Sequence, residues 1–494
     1  MPGGPPRRRE AVSLVICLVL YGGLLVHANS FTAGGADSSG YLNAARLFAQ
    51  GRVSERIEIL RRLGLPSSDR DLFLPLGYRP GARPDTMAPL YPPGLPLHMA
   101  AAGEIAGWKA APFLTGPLAA VAALVLLFLL ARELGLSPGF CAAGGVLLAS
   151  CPIFFGMAVQ PMSDVPATAW VLAALLLALR ARRSGSAAVV AGAALGVAVL
   201  VRPTNALAVF PLALALPARI RSFLAAAIGA IPLAGFLLFY DLTAFGKAAE
   251  TGYGSMLSWT MSSANLLPDL RHYGYWVPVL LTPLVPLGWL LLPLDRRIPL
   301  RTRSLLLVWF GSFFAFYCFY QPYEDWWSVR FLLPGIPAVI LAALLLARDI
   351  ADRLAQGLSP RAFRWTRVAG LALLAAMVLA GVRHIRRFEI FSIRTGERVY
   401  RDASLRAASA VPERSLIVSM QMSGALKYYT NRPIARWDAI RPGRFSELRH
   451  AVEERGFCWY ALLWPFEEEG FRKNLPGRWE RIGTVRDIGL WRLD

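Results

Sequence analysis

The chain carries the stretch GADSSGYLNAARLFAQG at residues 35–51, directly after its first hydrophobic run. Its apolar side chains recur at three- and four-residue steps, which predicts an amphipathic helix lying along a membrane face. Asp37 is the only acid of the stretch and stands at the N-terminal end of that helix. An acid there either caps the helix or serves chemistry just outside the bilayer, and the rest of the chain decides between the two. The apolar positions are Tyr41, Ala44, Ala45 and Phe48.

The composition is that of a polytopic membrane protein. Of 494 residues, 55% are hydrophobic and 17% are charged, and the mean hydropathy of +0.45 is too high for a soluble domain of this size. The net charge of +20 comes from arginines clustered between apolar runs, which fits the positive-inside rule rather than a nucleic-acid surface. The cysteines have no CxxC spacing, and His98 and His272 are isolated, so no disulfide framework or metal site is expected.

Apolar runs alternating with charged turns predict about eleven transmembrane helices, with the N-terminus in the cytoplasm and the C-terminus outside. Residues 94–107 are too short to cross and are expected to form a half-dipping or interfacial helix. The predicted spans are residues 11–28, 112–130, 140–157, 167–179, 187–201, 206–216, 223–240, 276–292, 305–320, 331–346 and 368–382.

Two domains are expected. Residues 1–383 form a transmembrane domain, with residues 30–93 as its first outer loop. Residues 384–494 form a small α/β domain outside the membrane, because short apolar strands alternate there with helical segments. The expected strands are residues 416–419, 458–463 and 488–493, and the expected helices are residues 424–429 and 445–454.

Ionisable residues gather on the side of the membrane that holds Asp37. Such groups are costly at membrane depth and usually mark a substrate path or an ion pair. Three of these residues also have an ordinary structural explanation. Asp164 could be a helix N-cap, Arg202 a snorkelling side chain, and Arg330 an interfacial anchor beside tryptophans. The charged candidates are Asp37, Asp164, Arg202, Lys247, Glu324, Asp325 and Arg330.

Four motifs follow one another within residues 10–350. They are Ala36-Asp37-Ser38-Ser39-Gly40-Tyr41, Tyr91-Pro92-Pro93-Gly94, Met162-Ser163-Asp164-Val165-Pro166 and Arg330-Phe331-Leu332-Leu333-Pro334-Gly335-Ile336-Pro337. Their order resembles the GT-C class of membrane glycosyltransferases, specifically the family similar to protein O-mannosyltransferases and the lipid A aminoarabinose transferase (glycosyltransferase family 39-like). The resemblance implies a GT-C-like polytopic α-helical fold and inverting transfer of a sugar from a polyprenyl-phosphate donor, with the acid of the first loop as base.

The chain departs from that family at two positions. Many relatives have Asp-Glu where this chain has Asp37-Ser38, and a lysine or histidine where it has Tyr91. The second departure leaves the phosphate-binding cation open. The replacement candidates are Arg202, Lys247 and Arg330.

The implied chemistry belongs at the outer membrane interface, since a prenyl chain must stay in the bilayer while its sugar meets a polar acceptor. Asp37 would take the proton of the acceptor hydroxyl as it attacks the anomeric carbon, and an arginine would neutralise the leaving phosphate. Asp164 would orient the acceptor or the base. No metal or other cofactor is expected, and the sequence has no Gly-rich phosphate loop. Further expected substrate contacts are Tyr41, Tyr91, Pro93, Glu324 and Asp325.

The sequence therefore predicts a multi-pass glycosyltransferase of the bacterial inner membrane, with its C-terminal domain in the periplasm. Its partners would be a polyprenyl-phosphate sugar and a glycan, lipid or protein acceptor, without nucleic acid. A transporter or flippase for polyprenyl-linked glycans is the alternative; it would have two similar halves with broken helices, and no internal repeat is visible in the sequence. A non-catalytic relative whose outer domain binds glycans is a third possibility.

Overall fold

The computed structural model describes residues 8–248, 250–254 and 261–494, and most of them are helical. The helices in the first half are α1 (Arg8–Ala28), α2 (Ala36–Ala49), α3 (Glu58–Leu63), α4 (Gly94–Ala106), α5 (Thr115–Glu133), α6 (Pro138–Ala149), α7 (Pro152–Ala158), α8 (Asp164–Arg180), α9 (Gly185–Val201) and α10 (Val209–Ala215). Those in the second half are α11 (Ile220–Phe245), α12 (Leu266–Leu281), α13 (Leu284–Leu291), α14 (Leu300–Tyr317), α15 (Ile336–Gly357), α16 (Pro360–Arg387), α17 (Ile393–Ala410), α18 (Ser423–Tyr429), α19 (Pro442–Glu454) and α20 (Glu468–Asn474). The strands are β1 (Glu55–Arg56), β2 (Tyr78–Pro80), β3 (Thr86–Pro89), β4 (Ser415–Val418), β5 (Ile434–Ala435), β6 (Cys458–Leu463), β7 (Trp479–Val485) and β8 (Ile488–Leu493).

Several helices have the length and composition of membrane spans. Within the described part of the chain, three are long and apolar enough to cross a bilayer, namely Ala111–Glu133, Ile220–Phe245 and Pro360–Arg387. Three bent helix pairs raise that number to six if each pair is one span, and shorter apolar helices such as α9 lie at further predicted spans. The chain is therefore a multi-pass membrane protein, while the count of eleven spans stays a prediction.

Three of the predicted spans are broken rather than straight. The helices bend by 67° between α6 and α7, by 115° between α12 and α13, and by 82° before α15. A proline stands at each break, at Pro152, Pro283 and Pro334. Proline removes a backbone donor and disfavours helix at the residue before it, so the chain turns at these points. A bent pair can still cross the bilayer as one broken span, so these three predicted spans stay predictions.

The outer segment predicted at residues 241–275 is shorter than expected. Helix α11 continues to Phe245, and α12 begins at Leu266, so Asp269 and His272 lie on a helix rather than in a loop. Residues 249 and 255–260 of this segment lie outside the described residues.

Contacts divide the chain into two compact units that differ from the two predicted domains. The first outer segment and the C-terminal segment belong to the same unit, and the domain boundary predicted at residue 383 stays a prediction. The first unit consists of Met1–Asn29, Leu114–Gly235 and Met256–Phe391. The second consists of Ser30–Phe113, Phe236–Ser255 and Ser392–Asp494.

In the first unit, α9 and α11 approach each other through glycines. A Cβ added to Gly192 would lie 1.8 Å from the carbonyl oxygen of Ala226, and one added to Gly229 would lie 1.9 Å from that of Val189. Any side chain at either position would separate the two helices. Small residues at such crossings are typical of helix packing in membranes, where backbones must come close to gain contact.

The second unit contains two sheets. Strands β1, β3 and β2 form an antiparallel sheet in that order. The C-terminal segment forms a five-stranded sheet in the order β5-β4-β6-β8-β7, in which β4 pairs in parallel with β5 and β6. Strand β8 pairs antiparallel with β6 and β7. The predicted small α/β fold is confirmed, and β7 was not predicted because the exposed polar residues Glu480, Arg481 and Thr484 interrupt its apolar pattern.

Both faces of the five-stranded sheet are covered. Alternate residues of β4 point to opposite sides, with Leu416 and Val418 on one face and Ile417 on the other. The first face packs against α19 and against apolar side chains between residues 57 and 87. The second packs against α17 and α18. The C-terminal segment therefore shares one hydrophobic core with the first outer loop.

Candidate active site

Asp37 stands in the first turn of α2, which has Gly35 as its N-cap residue and no side-chain cap hydrogen bond. Its carboxylate accepts a hydrogen bond from the Tyr91 hydroxyl, which lies 2.7 Å from Oδ1. Asp37 is therefore not the N-cap of the helix, although its charge suits the positive helix end. Its contact is with a second motif, 54 residues further along the chain.

Helix α2 is buried nearly all round. The buried positions include Ser39, Asn43 and Leu47 as well as Tyr41 and Ala45, so they do not form one stripe. The predicted helix is confirmed, but the prediction of a single buried face is wrong. A helix covered on several sides holds its side chains in fixed orientations, which a site for chemistry requires.

Two further tyrosines pack against Tyr91, the hydrogen-bond partner of Asp37. The Tyr41 and Tyr91 ring centroids are 4.6 Å apart, and Tyr253 meets Tyr91 edge-on at 6.1 Å. Burial raises the pKa of Tyr91 well above its usual value of 10, and the charge of Asp37 adds to the effect. The phenol therefore stays protonated and donates to the carboxylate throughout the physiological pH range.

Gly40 explains the close approach of Tyr91. A Cβ at Gly40 would lie 2.2 Å from Cε2 of Tyr91, so any larger residue would push the ring away from Asp37. Pro93 lies just beyond Tyr91 as the N-cap residue of α4 and is buried. The first two motifs thus meet because the glycine leaves room for the tyrosine.

An ion pair fixes the segment that carries Tyr253. Arg79 of β2 lies 2.8 Å from Oε1 of Glu250 and also donates to the carbonyl oxygens of Thr251 and Gly252. The hydrogen bond from Arg79 lowers the pKa of Glu250. Lys247, a predicted phosphate-binding residue, also contacts this carboxylate, with its Nζ 3.4 Å from Oε2 and its side chain 78% exposed.

The third motif forms a buried ion pair in the first unit. Asp164 is the first residue of α8, with Ser163 as N-cap, and its carboxylate accepts from the guanidinium of Arg202. The Asp164 side chain is 2% exposed and that of Arg202 14%. The structure thus answers both ordinary alternatives: Asp164 is not a simple cap, and Arg202 turns to a carboxylate rather than snorkelling to water.

The fourth motif places Arg330 near Arg202. The Cζ atom of Arg330 lies 4.8 Å from the Trp327 ring and 5.4 Å from the Phe331 ring. The Cζ atom of Arg202 lies 5.3 Å from the same Phe331 ring. Phe331 stacks on Tyr317, whose hydroxyl donates to Thr204 at 2.8 Å. One phenylalanine therefore gathers two of the three candidate cations, a role that its place after Arg330 did not reveal.

Two further candidates lie on the segment before Arg330. Asp325 is the N-cap residue of the 3-10 helix Trp326–Leu332, and its carbonyl oxygen accepts from the Ser328 hydroxyl at 2.8 Å. Glu324 is exposed. The Ser328 hydroxyl also contacts Nε2 of His272 at 2.7 Å. These contacts give Asp325 a structural role and leave Glu324 as a surface side chain.

The predicted site residues thus fall into two clusters. In the second unit Asp37, Tyr41 and Tyr91 come together, with Tyr253 as a member that the sequence did not indicate. In the first unit Asp164, Arg202 and Arg330 come together around Phe331. That Asp37 shares one pocket with an arginine stays a prediction.

A family model matches part of the chain. Residues 91–244 match the model described as dolichyl-phosphate-mannose-protein mannosyltransferase. This match covers less than half of the chain and includes Tyr91, Asp164 and Arg202. No curated protein matches the chain.

Solved structures match nearly the whole chain. ArnT from Cupriavidus metallidurans bound to undecaprenyl phosphate has a TM-score of 0.59 at 15% identity, with 97% of this chain and 98% of that chain covered. The apo oligosaccharyltransferase of Archaeoglobus fulgidus has a TM-score of 0.56 at 15% identity, with 94% and 71% covered. Arabinofuranosyltransferase AftD from Mycobacteria has a TM-score of 0.56 at 14% identity, with 100% and 40% covered.

At these identities the likeness establishes the fold. The oligosaccharyltransferase and the arabinofuranosyltransferase are glycosyltransferases by name, and the family model names a mannosyltransferase. The resemblance predicted from the order of four motifs is thus confirmed. The chain has the GT-C fold of membrane glycosyltransferases.

Proposed function

We propose that the protein is an integral-membrane glycosyltransferase that moves a sugar from a polyprenyl-phosphate donor to an acceptor outside the cytoplasm, with inversion at the anomeric carbon. Two structural neighbours support the donor class. ArnT is described with undecaprenyl phosphate, and the archaeal oligosaccharyltransferase with a dolichol phosphate and an inhibitory peptide. The observation that carries the proposal is the contact between Asp37 and Tyr91 within this fold.

The contact suits a general base. Asp37 would take the proton of the acceptor hydroxyl while its oxygen forms a bond to the anomeric carbon. The bond from that carbon to the phosphate oxygen breaks, and the polyprenyl phosphate leaves with the electron pair. Because Tyr91 is neutral, its hydrogen bond orients the carboxylate without neutralising its charge.

The departing phosphate calls for a cation, and we assign this role first to Arg330. Arg202, which is paired with Asp164, and Lys247, which lies beside Glu250, are the alternative candidates. The guanidinium of Arg330 lies over aromatic rings, which fix its plane for bidentate contact with phosphate oxygens. Asp164 then serves to hold Arg202, and its direct action on the acceptor stays a prediction.

The proposal includes the location and the absence of a metal requirement. The charge distribution supports a bacterial inner-membrane protein with a cytoplasmic N-terminus and residues 384–494 in the periplasm. Among the described residues, no group of three or more His, Cys, Asp or Glu side chains lies together in a way that could hold a metal ion. We propose a transfer without a divalent cation because an arginine would neutralise the leaving phosphate.

Mass spectrometry of cell-envelope glycans tests the proposal whichever sugar is transferred. A deletion strain is complemented with the wild type or with Asp37→Asn, and membrane levels of both proteins are matched by immunoblot. The glycan lost on deletion should return with the wild type and not with Asp37→Asn. Its return with Asp37→Asn would eliminate Asp37 as the base. Movement of lipid-linked sugar across proteoliposomes without any product would instead favour the transporter.

A further inference from the structure

Glu397 of α17 reaches the backbone that leads into the Asp37 helix. Its carboxylate accepts the backbone N–H of Gly35, the N-cap residue of α2. Its Oε2 atom also fills the space beside Gly34, where an added Cβ would lie only 1.3 Å away. A side chain of the C-terminal segment thus touches the chain two residues before Asp37.

Other side chains of the C-terminal segment support the same backbone. The Tyr429 hydroxyl accepts the N–H of Ala33 at 2.8 Å. The Tyr400 hydroxyl and Nε2 of Gln421 lie 3.8 and 3.9 Å from the position of a Cβ at Gly35, and these two groups hydrogen-bond to each other at 3.1 Å. Residues 33–35 are therefore held by hydrogen bonds to two side chains of the C-terminal segment, those of Tyr429 and Glu397.

The C-terminal segment also accepts hydrogen bonds from α2 on the face opposite Asp37. Asn43 donates to the carbonyl oxygen of Gly424 at 3.0 Å, and Arg46 donates to that of Tyr428 at 2.5 Å. At about 100° per residue, these positions lie roughly 180–240° around the helix from Asp37. Contacts at the helix start and on its far side together determine where the Asp37 carboxylate points.

We propose that Glu397 is a positioning residue for the transfer reaction, acting through Gly34 and Gly35 to fix the start of α2 and hence the Asp37 carboxylate. This inference rests on the proposed function. It gives the C-terminal segment a defined task, which is to hold the base in place.

The environment of Glu397 supports a role other than stability. Burial raises the pKa of Glu397 from 4.5 to about 7, against the lowering effect of the Gly35 N–H. Because the pKa is higher in the folded state, stability falls as the pH rises from about 4.5 towards 7 and the group ionises. The raised pKa is consistent with a carboxyl group held in a poorly solvated place, where it contacts Gly34 and Gly35.

Hydrogen exchange and glycan formation test the inference in the full-length protein. Glu397→Ala should speed exchange of the Gly35 amide about ten- to a hundredfold, since the amide loses its acceptor. Envelope glycan formation should fall about tenfold or more, because a displaced base loses much of its rate advantage. Glu397→Gln keeps an oxygen acceptor and should retain both protection and product. Glu413→Ala, at an exposed glutamate just after α17, is the matched control and should change neither.

Gly34→Ala sharpens the test. Its backbone is outside the left-handed region, so the added methyl group acts by displacing the Glu397 carboxylate rather than by strain. Gly34→Ala should therefore speed Gly35 exchange in the wild type but have little further effect in the Glu397→Ala background. Additive effects of the two substitutions would overturn the proposed contact.

The outcomes separate this inference from the proposed function. If Asp37→Asn abolishes the glycan while Glu397→Ala leaves both exchange and glycan unchanged, the positioning role of Glu397 is refuted and the transferase stands. If Asp37→Asn keeps full activity, the function itself fails. If Glu397→Ala does not fold, Glu397→Gln alone decides the acceptor role. Fast hydrogen exchange of the Gly35 amide in folded Glu397→Gln would refute that role.

Discussion

The two clusters of site residues use aspartate in different ways. In the second unit, Asp37 accepts from a neutral phenol, that of Tyr91. In the first unit, Asp164 accepts from a guanidinium, that of Arg202, and both side chains of this pair are largely buried. A phenol directs a carboxylate, whereas an arginine also neutralises it.

This difference separates a group that reacts from a group that supports. Asp37→Asn removes the proton acceptor but keeps an amide oxygen to which the neutral Tyr91 hydroxyl can donate, so it costs little stability. Substituting Asp164 leaves the buried charge of Arg202 without its carboxylate, which costs much. Substitution of Asp37 should therefore lower activity with little change in stability. Substitution of Asp164 should mainly lower stability.

The largest expected effect is the loss of sugar-transfer rate in the Asp37→Asn variant. Loss of a general base typically slows a reaction by about 10²–10⁴-fold, so transfer should fall into that range or below detection. The rate is measured with the lipid-linked donor fraction extracted from a deletion strain, which accumulates the unused substrate. The melting temperature in detergent should stay close to that of the wild type. A large drop in melting temperature would mean that Asp37 is structural, as Asp164 is.

Asp164→Asn should mainly reduce stability. Breaking one side of a buried ion pair costs about 3–5 kcal/mol, because the remaining charge stays in a poorly solvated place. Thermal unfolding in detergent measures the loss. The control is Asp352→Asn, at an exposed aspartate of the same unit, which should unfold like the wild type. An unchanged melting temperature for Asp164→Asn would show that the pair does not stabilise the fold.

Tyr91→Phe should have a smaller effect. The ring still packs between Tyr41 and Tyr253, but the hydrogen bond that orients Asp37 is lost. If the lost hydrogen bond raises the activation free energy by about 1–1.5 kcal/mol, transfer becomes roughly tenfold slower. Tyr275→Phe, at a tyrosine that is 63% exposed, serves as the control. A rate equal to the wild type would remove Tyr91 from the site.

The smallest expected effect is that of metal removal. Transfer should proceed at the same rate before and after treatment with EDTA, since the proposed mechanism neutralises the phosphate with arginine. Neither the Asp37 cluster nor the Asp164 cluster is expected to need a divalent cation. A rate that falls with EDTA and returns with a divalent cation would contradict the metal-independent reaction.

Local features of the sequence predicted much of this architecture. The spacing of apolar residues located α2, and short apolar runs located β4, β6 and β8, because each depends on residues close together in the chain. The helix breaks at Pro152, Pro283 and Pro334 were missed. Proline within an apolar run is compatible with a kink or a full turn, and packing decides which one forms.

Contacts between distant residues could not be predicted in the same way. Arg202 and Asp164 are separated by 38 positions, and each alone had an ordinary explanation. Nothing near Glu397 in sequence marks its contact with Gly35. The shared core of the C-terminal sheet and residues 57–87 likewise depends on the folded chain.

Chemical rescue of Asp37→Ala tests the central claim most directly. The substitution leaves space where the carboxylate was, and added formate can supply a carboxylate in its place. The account predicts that Asp37→Ala is inactive in transfer from the extracted lipid-linked donor and that formate, but not chloride at the same concentration, restores measurable product. Full transfer by Asp37→Ala without formate would contradict the claim that this carboxylate is the base.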